Sequence, residues 1–211
     1  MVRTVTEQIY QEIKKDIQTH KMKPGEKLTI KKLNEIYGVS SSPIREALTR
    51  LQQDGLIDYK PNIGMSVIVM TEKDINEIFL LTAEFDIIAM KGAYYSDNRD
   101  ELLKELEHVI RQSKDVNSRD WNKLSDEFHL LFFKYADNSR LSEAAKKIRM
   151  QSTILSNAYE ELEDNRNEIW NQHNEIFLKL KDGKVEEAEQ MLRNHLMSSR
   201  EKAIDVMSSL M

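Results

Sequence analysis

The chain has 211 residues, of which 32% are charged and 7% aromatic, with a formal net charge of −5 and no cysteine. That length holds one large domain or two modest ones. No apolar run nears the roughly 18–20 residues of a membrane helix, the first residues lack a signal-peptide core, and the absence of thiols excludes disulfides and thiolate metal sites, so a cytoplasmic protein is expected. The charge is unevenly spread. Residues 1–70 carry 11 Lys+Arg against 8 Asp+Glu, and the remainder carries 20 against 28. A mildly basic head on an acidic body is compatible with a local nucleic-acid footprint.

Residues 3–20 predict an amphipathic helix, with Val5, Ile9, Ile13 and Ile17 repeating every four positions. Lys23-Pro24-Gly25-Glu26 is a turn, and Thr29 is a candidate N-cap. Residues 33–57 then read as two short helices. Leu33 and Ile36 give the first an apolar edge, and Gly38 ends it. Ser42 is placed to N-cap the second, with Pro43 in its first position. Ile44, Ala47, Leu48 and Leu51 face inward; Arg45, Thr49 and Gln52 lie on the opposite face; Gly55 stops the helix. This is the pattern of a helix-turn-helix, whose second helix enters the major groove. An αα-hairpin that only packs has the same pattern. Two predicted strands follow, 56–60 and 65–70, joined by Pro61-Asn62-Ile63-Gly64. A hairpin directly after a recognition helix is a wing, which can set Lys60 and Asn62 beside DNA.

The run from Val39 to Ile57 (V-S-S-S-P-I-R-E-A-L-T-R-L-Q-Q-D-G-L-I), the Pro61-x-x-Gly64 after it and the K-P-G-E-K-L upstream resemble the winged helix of GntR-family transcription regulators over about the first 70 residues. The resemblance implies that Arg45 contacts DNA and that Lys31, Ser40 and Ser42 meet phosphate or base. Ser41 between the two serines, Thr49 on the same face and Lys60, Asn62 and Gly64 of the wing complete the expected DNA-binding set. The sequence departs at Ser41, where the family usually has a DNA-contacting arginine, so the usual operator sequence is not implied.

Beyond Gly64 there is no proline, and only Gly92 and Gly183 interrupt. Such composition favours long helices. Six are predicted, at about 72–95, 99–116, 119–136, 139–160, 164–181 and 184–210. The first has Ile75, Ile78, Phe79, Thr82, Phe85, Ile88 and Ala89 as its apolar face. The expected architecture is mainly α: a winged helix-turn-helix with a small β wing in residues 1–70, then an all-helical antiparallel bundle in 71–211.

Three of the five histidines border apolar faces of different predicted helices: His129, His173 and His195. Two readings stand side by side: separate core histidines satisfied by hydrogen bonds, or three imidazoles converging on Zn²⁺ or another divalent transition metal. Phe128-His129, the Ala136-Asp-Asn-Ser-Arg-Leu141 run, His173-x-x-Ile176 and His195-Leu196 are similar to landmarks of the FCD effector domain that follows GntR winged helices. That resemblance implies a metal, zinc or nickel, on the three histidines and an aspartate four residues before the first. Here that position is Ser125, with Asp126 adjacent as the substitute ligand. It also implies an effector-pairing arginine in the first helix, where this chain has Thr82. Thr82 and Ser125 are therefore the positions expected to face a small-molecule effector, an organic acid by family.

The expected function is a ligand-responsive transcription regulator, a repressor, acting as a homodimer on a pseudo-palindromic double-stranded operator. The alternative is a metal-dependent helical enzyme, because Glu105-x-x-His108 and Asp126-x-x-His129 mimic the carboxylate–x–x–His pairs of di-iron bundles. A bundle without an effector is a third reading.

Overall fold

The computed structural model describes residues 4–115, 117 and 120–210; expected helix ends at Arg3, Val116 and Arg119 lie outside the described residues. The chain separates into two compact units, Met1–Thr71 and Glu72–Met211.

The first unit contains α1 (Val5–Gln18), β1 (Lys27–Leu28), α2 (Ile30–Tyr37), α3 (Ser41–Gln53), β2 (Ile57–Lys60) and β3 (Gly64–Val67). Thr4 caps α1 by accepting from the Glu7 N–H, and Thr29 caps α2 by accepting from the Lys32 N–H. Gly38 ends α2 in the left-handed region at φ 67°. The three strands are antiparallel in the order β1-β3-β2, with Lys60 opposite Gly64 and Leu28 opposite Met65. Asn62, at φ 64°, turns the wing. Ile13, Leu33, Ile44, Leu48, Leu51 and Leu56 are fully buried and make the core beneath α3.

Three local expectations change. The N-cap of α3 is Ser40, not Ser42, so Pro43 is the third helical residue. Proline is tolerated there because the first N–H groups of a helix have no intrahelical acceptor. Ile36 is 47% exposed, leaving Leu33 as the inward anchor of α2. Lys27–Leu28 forms a short strand where only a lead-in to α2 is expected, because β3 offers its open edge there.

The second unit contains α4 (Glu72–Tyr94), α5 (Arg99–Gln112), α6 (Trp121–Tyr135), α7 (Ser139–Tyr159), α8 (Glu163–Lys181) and α9 (Val185–Leu210). Asn138 caps α7 through the Leu141 N–H, and Gly183, at φ 79°, separates α8 from α9. Helix α4 packs on α6, α7 and α9, while α8 packs on α9 and α5. Its buried stripe is Ile75, Ile78, Phe79, Thr82, Ala83, Asp86, Ile87, Ala89, Met90 and Ala93, the repeat of a helix enclosed on one side. Ile88 belongs to the opposite side and is 52% exposed, not core as expected. The interior is otherwise apolar, with Phe128, Phe132, Leu102, Leu106, Ile176 and Leu192 fully buried. A few polar groups stand inside it, and they make the site.

Candidate functional site

The two units each present one. In the first, α3 displays its outer face. Ser40, Ser42, Arg45 and Thr49 are exposed, in the row expected of a recognition helix. Arg45 makes no ion pair among the described residues, so its guanidinium is available. The neighbouring Arg50 is not: it pairs with Glu7 at 2.7 Å and lies 4.1 Å over the Tyr10 ring. The Thr49 hydroxyl donates back to the Arg45 carbonyl at 2.9 Å, and the Ser42 hydroxyl donates to Glu46 at 3.2 Å. Ser41 is half-buried and accepts from the Asn34 amide at 3.0 Å, tying α3 to α2. That hydroxyl therefore serves the turn. Lys31 is exposed at the start of α2; Lys60 and Asn62 are exposed on the wing beside half-buried Gly64, with Lys60 3.8 Å from Asp58.

In the second unit, His129 on α6, His173 on α8 and His195 on α9 come together in the interior. All three are buried, and one ring nitrogen from each lies within 4.8 Å of the others. The Nε2 atoms of His173 and His195 are 3.2 Å apart. Two imidazoles on one tetrahedral metal, at about 2.0–2.1 Å each, place their nitrogens about 3.3 Å apart. Second contacts orient the rings. His129 Nδ1 donates to Asp86 Oδ2 at 2.7 Å, and His195 Nδ1 donates to Gln172 Oε1 at 2.7 Å. In its neutral form each ring then keeps the Nε2 lone pair that a metal would take. Burial first, then the neighbouring imidazoles, holds the His173 and His195 pKa well below the usual histidine value. Neutral rings are the form that ligates a metal. Phe128 stacks on His173 with centroids 4.1 Å apart and makes the apolar wall. The donor set fits a three-histidine divalent metal site.

Asp126 does not join the three nitrogens. It accepts from Arg149 Nη2 at 2.8 Å and from the Thr153 hydroxyl at 3.1 Å. The cation draws it along α7, so the expected fourth ligand is an ion-pair partner instead. Thr82 also departs from expectation: its hydroxyl donates to the Ile78 carbonyl at 2.8 Å, fully buried, and it does not line the pocket. The cation at this site comes from α7, as Arg149. Its Nη1 donates to Asp86 at 2.9 and 3.2 Å while Nη2 holds Asp126, bridging α4, α7 and α6.

A pocket opens beside the histidines, lined among others by Phe79, Ser125, His129, Arg149, His195 and Glu160. Ser125 is where expectation placed it, on the pocket wall, and its hydroxyl donates to Glu160 Oε1 at 3.2 Å. Trp121 Nε1 donates to the other Glu160 oxygen at 2.9 Å. Burial pushes the Glu160 carboxyl up to about 8. Asp86, Arg149 and Glu160 were not anticipated as site residues. Asp86 had a signal: it is an acid on the inward stripe of α4, in phase with Phe79 and Thr82. Arg149 and Glu160 sit in ordinary polar helix sequence and had none.

The acid–x–x–His pairs of the enzyme alternative do not converge. His108 is exposed, and Glu105 bonds Lys134 at the surface at 2.6 and 2.8 Å. No helix among the described residues is long and apolar enough to cross a membrane.

Comparison with known proteins places both units in families. Residues 5–67 match the bacterial regulatory proteins of the gntR family, and residues 93–198 match the FCD domain. The chain belongs to the GntR family of transcription regulators, in the group that carries an FCD domain. It is similar to the uncharacterized HTH-type transcriptional regulator YdhC of Bacillus subtilis, 28% identical over 89% of this chain and 86% of that one. It is also similar to the HTH-type transcriptional repressor RspR of Escherichia coli, 30% identical over 63% of this chain and 60% of that one. The fold matches a GntR regulator structure from Rhodococcus (TM-score 0.78, 19% identity, 95% and 97% of the two chains). It also matches E. coli McbR/YncC (TM-score 0.72, 19% identity, 99% of each chain). The protein is a DNA-binding transcription regulator with an FCD effector domain.

Proposed function

We propose that this regulator is a repressor that binds a pseudo-palindromic operator as a two-fold homodimer and answers to a small effector in the helical unit, beside a divalent metal of the zinc or nickel type. The observation that carries the reading is a cluster of three buried imidazoles beside a polar pocket in an otherwise apolar bundle: His129, held by Asp86, and His195, held by Gln172, line the pocket, and a ring nitrogen of His173 lies within 4.8 Å of theirs. Such a constellation is costly to bury unless it binds something. His129, His173 and His195 would hold the metal, which supplies a Lewis-acid position for an effector oxygen. Asp86 orients His129 and receives Arg149; Gln172 orients His195; Phe128 and Phe79 exclude water. An effector acts on DNA affinity only if it binds the DNA-competent and DNA-incompetent states differently.

DNA contact is assigned to Arg45 for bases, with Ser40, Ser42 and Thr49 beside it, and to Lys31, Lys60, Asn62 and the Gly64 backbone for phosphates. For the dimer, Leu81 and Ile88 lie seven residues apart on α4 and Tyr95 follows seven further on, just past its end; they are 43%, 52% and 66% exposed. That spacing is the seam of a helix-to-helix pairing, and a two-fold operator requires two copies.

Metal analysis of the purified full-length protein tests the effector-site reading. We expect about one divalent ion per chain after zinc or nickel loading and a loss of most of it in His173→Ala. Equal metal in wild type and variant, or none in either, contradicts it.

A further inference from the structure

Glu160 is the least explained group in the helical unit. It closes α7, is 5% exposed, and lines the pocket that also contains His129 and His195. Among the described residues it has no ion pair. Trp121 and Ser125 each donate one hydrogen bond, one to each oxygen, which leaves a second lone pair on both. An ionised carboxylate buried without a cation is strongly disfavoured, and the charged groups that bear on it are Asp126 from α6, which adds repulsion, and Arg166 from α8, which is attractive. The nearby guanidinium is committed elsewhere. Arg149 is bonded to Asp86 and Asp126, so an incoming organic anion finds no spare cation there. Asp86 and Asp126 take up Arg149, so Glu160 is the carboxyl of this group that has no cation of its own among the described residues. One donor also lacks an acceptor: Arg149 Nε, buried, has no hydrogen-bond partner.

We propose that the pocket takes a small organic ligand carrying an ammonium group, seated on the Glu160 carboxylate. The ammonium supplies the missing cation and donates to the open lone pairs. Ser156, which accepts from the Tyr159 hydroxyl, Asn157, which accepts from the Asn122 amide, and Ser199 line the same pocket and add polar oxygens to its wall. An oxygen elsewhere on the ligand suits the Arg149 Nε–H. The proposal rests on the effector reading above and gives that effector a chemical class, an amine, in place of the organic acid the family resemblance implies.

The test uses the full chain, loaded with metal and stripped of it, in thermal unfolding. The probes are ethanolamine, glycine and putrescine, each paired with its amine-free counterpart: ethylene glycol, acetate and butane-1,4-diol. At about a hundredfold excess over Kd an amine that binds raises Tm by on the order of 5 °C. The expected result is a rise with at least one amine and none with its counterpart. The rise should vanish in Glu160→Gln and persist in reduced form in Glu160→Asp. Amine-free counterparts stabilising wild type and Glu160→Gln alike would overturn the proposal, as would an amine rise that survives in Glu160→Gln. No rise with any amine, in either metal state, also overturns it. Binding of wild type and Glu160→Gln to a duplex selected by the wild-type protein is measured in parallel. Failure there strikes the repressor reading and leaves the ligand result standing on its own.

Discussion

Glu160 couples the stability of the helical unit to pH, with a definite sign. Its carboxyl ionises near 4.5 when unfolded and at about 8 in the folded protein, raised by burial. The folded state therefore binds the proton more tightly. Stability from this group is full below the unfolded value, falls as pH rises between the two, and is constant above the higher one. Glu160→Gln removes the titration and keeps an acceptor for Trp121 or Ser125. Its Tm should exceed that of wild type at about pH 8.5 and converge with it near pH 5; a gap that does not change with pH would show that Glu160 is ionised throughout. Asp86, also buried, differs in its partners: Arg149 donates to both its oxygens and His129 to one.

At the scale of elements, the helices are legible because their ends are chemically marked. Thr29, Gly38, Gly55, Asn138 and Gly183 cap or break between helices, and the proline-free stretch beyond the wing favours long helices between them. Gly38 offers a clean check. A Cβ there meets nothing within 4 Å, so Gly38→Ala introduces only the left-handed backbone penalty. Thermal or urea unfolding should show a loss of about 1 kcal/mol, while a loss several times larger would mean the turn between α2 and α3 is packed against something unseen. What escapes sequence reading is rotation and partner choice. Ser40 displaces Ser42 as cap because the first three helical positions all accept a proline. Ile88 and Thr82 both fit a helical period, yet one faces out and the other turns its hydroxyl onto its own helix. Asp126 is within reach of the histidine face, and only the arrival of Arg149 from α7 decides where it bonds. The three histidines could be read because each lies on an apolar stripe; the arginine and glutamate that complete the pocket come from a helix whose sequence carries no such contrast.

At the scale of the whole molecule, two compact units divide the labour: one exposes a recognition helix and wing, the other encloses a polar pocket. The proposed action as a repressor on a two-fold operator needs two copies. Ile88→Glu places a charge in the seven-residue seam of α4 without disturbing a buried side chain. Size-exclusion chromatography with light scattering should then report monomer where wild type reports dimer; an unchanged dimer would move the interface to another face. Arg45→Ala should cost about 1–3 kcal/mol of operator affinity, if the guanidinium reads a base.

The measurement that bears most directly on the account is selection of duplexes from a random library by the full-length protein, followed by titration of the enriched site against wild type and Arg45→Ala at several salt concentrations. An enriched site with two inverted half-sites is expected, with salt-dependent binding and a loss of about 5-fold or more in the variant. Enrichment no greater than for Arg45→Ala, or a site with no two-fold character, would contradict it.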